Sequence, residues 1–183
     1  GSLPKGQVRV YAMGDPFPHA WMVHAVEVIA DEGGALARLS TDEFDLRRVA
    51  VVAEPPDIPL PGPTDGSTAR VTAFAPDAIS IEVDAVANGL LVLSEVDYPG
   101  WQASVDSIPV RMVRADGVLR GIPVPQGHHL VRVWYAPASV QLGLAISALA
   151  LVGCLGGWLV AAQRPTTVQT EVISPPSTES TAE

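Results

Sequence analysis

Ile79, Ile81 and Val83 alternate with Ser80, Glu82 and Asp84. A period of two puts the apolar set on one face of a strand and the polar set on the other, so this stretch predicts a half-buried strand. Leu90 to Val96 is more uniformly apolar and predicts a central strand. Turn signals then recur at short intervals. Tyr98-Pro99-Gly100 leads into a strand from Trp101 to Asp106, and Asp106-Ser107 into Pro109 to Ala115. Asp116-Gly117 leads into Val118 to Val124, and Pro125-Gln126-Gly127 into His129 to Tyr135. Asp-Gly favours a type I′ hairpin, because both central residues of that turn need positive φ. The pattern predicts a meander of hairpins in an antiparallel sheet.

Upstream the pattern is mixed. Gln7 to Met13 and Trp21 to Ile29 predict strands rich in Val, Ile and aromatics, and Val49 to Ala53 predicts another. Between them, Ala35, Leu36 and Leu39 stand at helical spacing, which predicts a short helix within Glu32 to Ser40. Glu54 to Asp65 carries five prolines and reads as an extended surface loop. Strands on both sides of that loop predict two sheets packed face to face. The expected fold is therefore mainly β: an antiparallel, jelly-roll-like β-sandwich with one short helix, followed by a C-terminal transmembrane helix.

That last helix is read from Val140 to Ala162, which holds no charged residue. At ~1.5 Å per residue it is long enough for a ~30 Å hydrocarbon core. Residues 140–162 are thus expected to contact membrane lipid. Arg164 follows the run while Arg120 and Arg132 precede it, so basic residues do not decide the orientation. Pro165 to Glu183 is rich in Thr, Ser, Pro and Glu and is expected to be disordered. The predicted division is residues 1–137 as the β domain, 138–163 as the membrane helix and 164–183 as the tail.

Charge and composition narrow the function classes. The net charge of −9 and singly scattered basic residues argue against nucleic acid, which needs clustered Lys and Arg. Cys154 is the single cysteine, so neither an intrachain disulfide nor a Cys-based zinc site can be built. His128 and His129 are adjacent, and neighbours on a strand point to opposite faces. His19 and His24 are five apart and equally opposed if extended. No metal or cofactor is expected. Asp84, Glu95, Asp97, Asp106 and Asp116 fall near turns or on polar faces and read as solvated surface. Neither a Gly-rich phosphate loop nor a Gly-x-Ser-x-Gly motif is present, so no catalytic residue is assigned and this stretch is not expected to be an enzyme. Trp101 has two readings: it alternates inward with Ala103 and Val105 to fill the core, or its ring stacks on a sugar face.

The order of motifs carries a resemblance. Tyr98-Pro99-Gly100-Trp101 is followed by Val105-Asp106-Ser107, Arg114-Ala115, Val124 to His128, and Tyr135 with Pro137 before the apolar run. This succession, with the earlier stretch from Pro16 and the FDLRRVAVV segment, resembles the C-terminal region of bacterial YfhO-like membrane proteins over residues 8–160. The chain departs from that pattern at Ser107, where Gly is usual, and at Pro18-His19, where Pro-Arg is frequent. The first departure implies a different turn type or a small strain. The resemblance implies a polytopic protein similar to GT-C-type glycosyltransferases, with many membrane helices upstream and the catalytic carboxylate among them. This chain would then be the non-catalytic accessory domain, extracytoplasmic, with the tail in the cytoplasm. Its implied partners are those upstream helices and a carbohydrate or lipid-linked sugar acceptor from the cell envelope. Trp101, Tyr98, Asp97 and Arg114 are the residues assigned to such a ligand. A structural or protein-interaction module without a ligand is the alternative.

Overall fold

The computed structural model describes Gly14 and residues 16–162. The strand expected over 7–13, Arg164 and the tail lie outside these residues. Among the described residues eleven strands and two helices follow one another: β1 (Ala20–Val23), β2 (Ala25–Val28), α1 (Glu32–Leu39), β3 (Val49–Val52), β4 (Thr68–Ala75), β5 (Ala78–Ala85), β6 (Gly89–Val96), β7 (Trp101–Val105), β8 (Ile108–Val110), β9 (Val113–Ala115), β10 (Leu119–Val124), β11 (Gly127–Tyr135) and α2 (Ala138–Ala162). The strands form a six-stranded sheet in the order β1-β6-β10-β9-β3-β2 and a five-stranded sheet in the order β4-β5-β11-β7-β8.

The two sheets pack through one apolar layer. Ile79, Ile81 and Val83 from β5 meet Ala103 and Val105 from β7 and Val131 and Val133 from β11. Opposite them stand Leu91 and Leu93 from β6 and Ile122 and Val124 from β10. The alternating residues of β5 therefore face the core as the pattern predicts. Uniformly apolar β6 has a second buried face, where Leu90 and Val92 join Val23, Ala50, Val52, Val113 and Ala115.

That second cluster exists because the six-stranded sheet rolls. The expected single strand from Trp21 to Ile29 is broken at His24, and β1 and β2 stand at opposite ends of the strand order. Laid flat, five strand spacings of ~4.8 Å would separate them by roughly 24 Å. The two-residue step from Val23 to Ala25 spans at most ~7 Å. The edges must therefore converge at His24. His24 is 1% exposed and fully tied. Its Nδ1 donates to the Asn88 carbonyl at 2.8 Å, and its Nε2 accepts from Ser67 Oγ at 2.9 Å. Gly89 runs so close that an added Cβ would lie 2.6 Å from Met22 Cε and 2.9 Å from the Val23 carbonyl.

Two expectations of pairing need correction. The sandwich is not wholly antiparallel, because β2 pairs with β3 in parallel. A parallel partner requires a crossover, here built around α1. Asp31 caps that helix by accepting from Gly34 N at 2.6 Å, and Arg38 clamps it to β2 with two 2.7 Å bonds to Glu27. Nor do the last strands form a meander. Asp106 (φ 49) with Ser107 (φ 70), and Asp116 (φ 49) with Gly117 (φ 81), make tight hairpins, β7–β8 and β9–β10. The two proline-bearing turns instead carry the chain from one sheet to the other, β6 to β7 and β10 to β11. The expected strand Pro109 to Ala115 is likewise cut at Arg111-Met112, so β8 and β9 belong to different sheets.

Of the described residues, those up to Ala138 form one compact unit and those from Ser139 another. Helix α2 carries no charged side chain over its 25 residues. By length and composition it is the one described helix able to cross a membrane.

Candidate functional site

The β6–β7 and β8–β9 crossings leave an open concavity of about 470 Å³. Asp97, Tyr98 and Pro99 come from the β6–β7 connection, Trp101 and Gln102 from β7, Arg111 from the β8–β9 connection, Arg114 from β9 and Trp134 from β11. All four residues assigned from the sequence line it together. Asp97 N donates to the Val118 carbonyl at 2.7 Å, which fixes the start of the turn. Asp97 Oδ2 lies 3.8 Å from Arg114 Nε, an ion pair too long for a hydrogen bond, so both groups keep free valences. Tyr98 is 46% exposed. Gln102, Arg111 and Trp134 were not singled out by sequence reasoning, and alternation along β7 and β11 was the signal that could have found two of them.

Trp101 is held rather than free. The Arg120 guanidinium lies 3.7 Å above its ring centroid, and the rings of Tyr135 and Tyr98 pack at 5.4 and 6.2 Å. The Trp101 Nε1 is buried without a partner. Arg120 is itself 1% exposed, and its Nε and Nη2 donate to the Val96 carbonyl at 3.1 and 2.9 Å. Burial pushes the guanidinium below its usual range, while the carboxylates of Glu95 and Asp97 oppose that shift. Arg always remains cationic in proteins, so the aromatic faces supply part of the stabilisation that water would give. Sequence reasoning placed Arg120 only as a flanking charge. An Arg inside the otherwise apolar run from Leu119 to Val124 was the signal available.

The other polar groups lie apart from this concavity. His128 Nδ1 pairs with Asp84 and His129 Nδ1 with Asp106, each at 2.6 Å, so the adjacent histidines take separate partners. The hydrogen bond that His128 donates to Asp84 raises the His128 pKa, and the one that Asp106 accepts from His129 lowers that of Asp106. His19 Nε2 lies 3.3 Å from Glu95. Among the described residues no group of three His, Cys, Asp or Glu side chains could hold a metal ion. Ser67 and His24 sit at the distance of a nucleophile and its base. However, His24 is enclosed, a carbonyl rather than a carboxylate stands behind it, and Ser67 Oγ already accepts from Val86 N at 2.9 Å. The trio locks the crossing at His24.

Asp116 corrects the expectation that the turn carboxylates are all solvated. Its Oδ1 accepts from Val51 N at 2.8 Å, but its Oδ2 is buried without a partner. Phe17, Trp21, Leu39, Leu46, Val118 and Leu119 surround it in an apolar hollow of about 310 Å³. Burial pushes its carboxyl up to about 6, against the opposing effect of the Val51 hydrogen bond.

Chemically, the concavity offers ring edges, two guanidinium groups, a carboxylate and an amide around an open space, a set suited to binding hydroxyl-rich molecules. No protein-family model, curated protein or solved structure matches the chain.

Proposed function

We propose that the β unit is the non-catalytic accessory domain of a larger membrane glycosyltransferase-like protein similar to the YfhO-like family. In this reading α2 crosses the membrane, the β unit is extracytoplasmic and the tail cytoplasmic. The unit positions a carbohydrate acceptor of the cell envelope in the concavity. The single observation that supports it is the convergence of Asp97, Tyr98, Trp101 and Arg114 on one open surface. Tyr98 contributes an exposed ring for sugar C–H groups, and Asp97 and Arg114 hold hydroxyls.

Calorimetry of the detergent-solubilised chain against envelope polysaccharide fragments tests this. Binding is expected, and Tyr98→Ala or Asp97→Asn should abolish it with little change in melting temperature. No heat at millimolar fragment refutes ligand binding. That result would favour the alternative, a structural or protein-interaction module without a ligand. One observation supports the alternative: Arg120 covers a face of Trp101, the largest ring of the site.

A further inference from the structure

The turn Tyr98-Pro99-Gly100 lies against the residues that lead into α2. Ala136 N donates to the Gly100 carbonyl at 2.7 Å, and Tyr135 N donates to the Asp77 carbonyl at 2.8 Å. Gly100 takes φ +107, and a Cβ there would come 2.7 Å from Tyr135 Cε2 and 3.0 Å from Pro137 Cβ. Only a glycine admits so close an approach with that backbone. The turn is therefore in contact with the chain one residue before Ala138, where α2 begins. Tyr98 and Tyr135 pack at 5.6 Å and stay 46% and 39% exposed, with Pro99 exposed beside them.

We propose that this corner, formed by Tyr98, Pro99 and Tyr135, rests in the lipid headgroup layer where α2 enters the bilayer. The inference rests on the membrane reading of α2 and is independent of any glycan. Three residues of chain span at most ~11 Å, so Tyr135 cannot be farther than that from Ala138. The headgroup layer is roughly 5–7 Å deep on each side of the hydrocarbon. The tether keeps the corner within reach of the depth where tyrosine favours a membrane, its ring in apolar surroundings and its hydroxyl wet. Asp77 and Asp97 flank it and the buried Arg120 guanidinium stands 5.9 Å from the Tyr98 ring, which leaves no net positive charge at the corner, so anionic lipid would not be the attraction. A neutral headgroup such as phosphatidylcholine suffices.

The test uses the full chain with Cys154→Ser, reconstituted in phosphatidylcholine vesicles and spin-labelled at one introduced cysteine. Leu149→Cys reports on α2, Pro99→Cys on the corner, and Gln126→Cys on the turn just before the far end of β11, ~30 Å away along the strand. Collision with oxygen, which concentrates in lipid, is compared with collision with a water-soluble nickel chelate. A lipid-exposed Leu149 label, with a Pro99 label favouring oxygen several-fold more than the Gln126 label, is the expected result. A lipid-exposed Leu149 label with a Pro99 label as aqueous as Gln126 overturns the inference and leaves the membrane helix standing. An aqueous Leu149 label overturns both. If Pro99→Cys does not fold, Pro76→Cys, in the turn that bonds Tyr135, reads the same corner.

Discussion

Replacing Asp116 by Asn should stabilise the protein at neutral pH and leave its stability unchanged in acid. The folded state holds the Asp116 proton up to about 6, against 3.8 for the ordinary side chain, because Oδ2 is buried among apolar residues. A group whose folded pKa is raised binds its proton more tightly in the native than in the unfolded chain. Below about pH 4 both states are protonated and nothing is lost. Between about 4 and 6 the native state loses stability as pH rises, and above 6 the full loss is present. That separation corresponds to about 3 kcal/mol at 1.36 kcal/mol per pH unit. Asp116 is only partly enclosed, so solvent screening lowers the figure to about 1–2 kcal/mol.

Asn suits the site. It tolerates the positive φ of 49, and its carbonyl can still accept from Val51 N. Its amide puts an uncharged donor where protonated Asp116 puts a hydroxyl, so the two should match in acid. Thermal unfolding followed by circular dichroism in detergent, from pH 4 to 8, measures the difference. The titrations of His128 and Asp106 occur in both proteins and cancel. The variant should melt about 4–8 °C higher at pH 7.5, with the gap closing near pH 4. An equal or lower melting point at pH 7.5, or a gap that persists in acid, refutes the reasoning.

Other substitutions probe the turns, the close contacts and the site. Ser107→Gly should raise stability by about 0.5–1 kcal/mol, because φ 70 is left-handed and unfavourable for Ser; a lower urea midpoint would count against it. Gly89→Ala should destabilise by about 2–3 kcal/mol, since backbone and ring atoms block its Cβ, and an unchanged midpoint would show that the roll at His24 has slack. Trp101→Ala should lower stability by about 2–4 kcal/mol, whereas Tyr98→Ala should cost under about 1 kcal/mol; equal losses would mean that both rings are structural. Asp84→Asn should move the His128 titration, followed by imidazole NMR, down towards its ordinary value, and an unmoved curve would show that the pair does not persist in solution.

Much of the site was legible because Asp97, Tyr98 and Trp101 are neighbours in the chain and sit at a Pro-Gly turn, where function often concentrates. Arg114 joins them only because the fold brings β9, an inner strand of one sheet, beside β7 of the other and the β6–β7 turn. Asp116 and Arg120 look like ordinary surface charges in the sequence. Their burial depends on the rolled sheet around Asp116 and on the rings of Tyr98 and Trp101 over Arg120.

By itself the sequence determined what depends on near neighbours. Alternation made β5 two-faced, Asp-Gly favoured positive φ at the β9–β10 hairpin, Asp31 capped α1, and a long uncharged run made α2 apolar all round. Tertiary structure alone decided which strand meets which. The proline-bearing turns were free to close a hairpin or to cross between sheets, and burial of Leu91 and Leu93 against Val131 and Val133 chose the crossing. The same holds at His24, where no local signal breaks the strand. The break follows from partners at Ser67 and Asn88, more than 40 residues away, because hydrogen bonds and apolar contacts between distant segments exist only once the chain has folded.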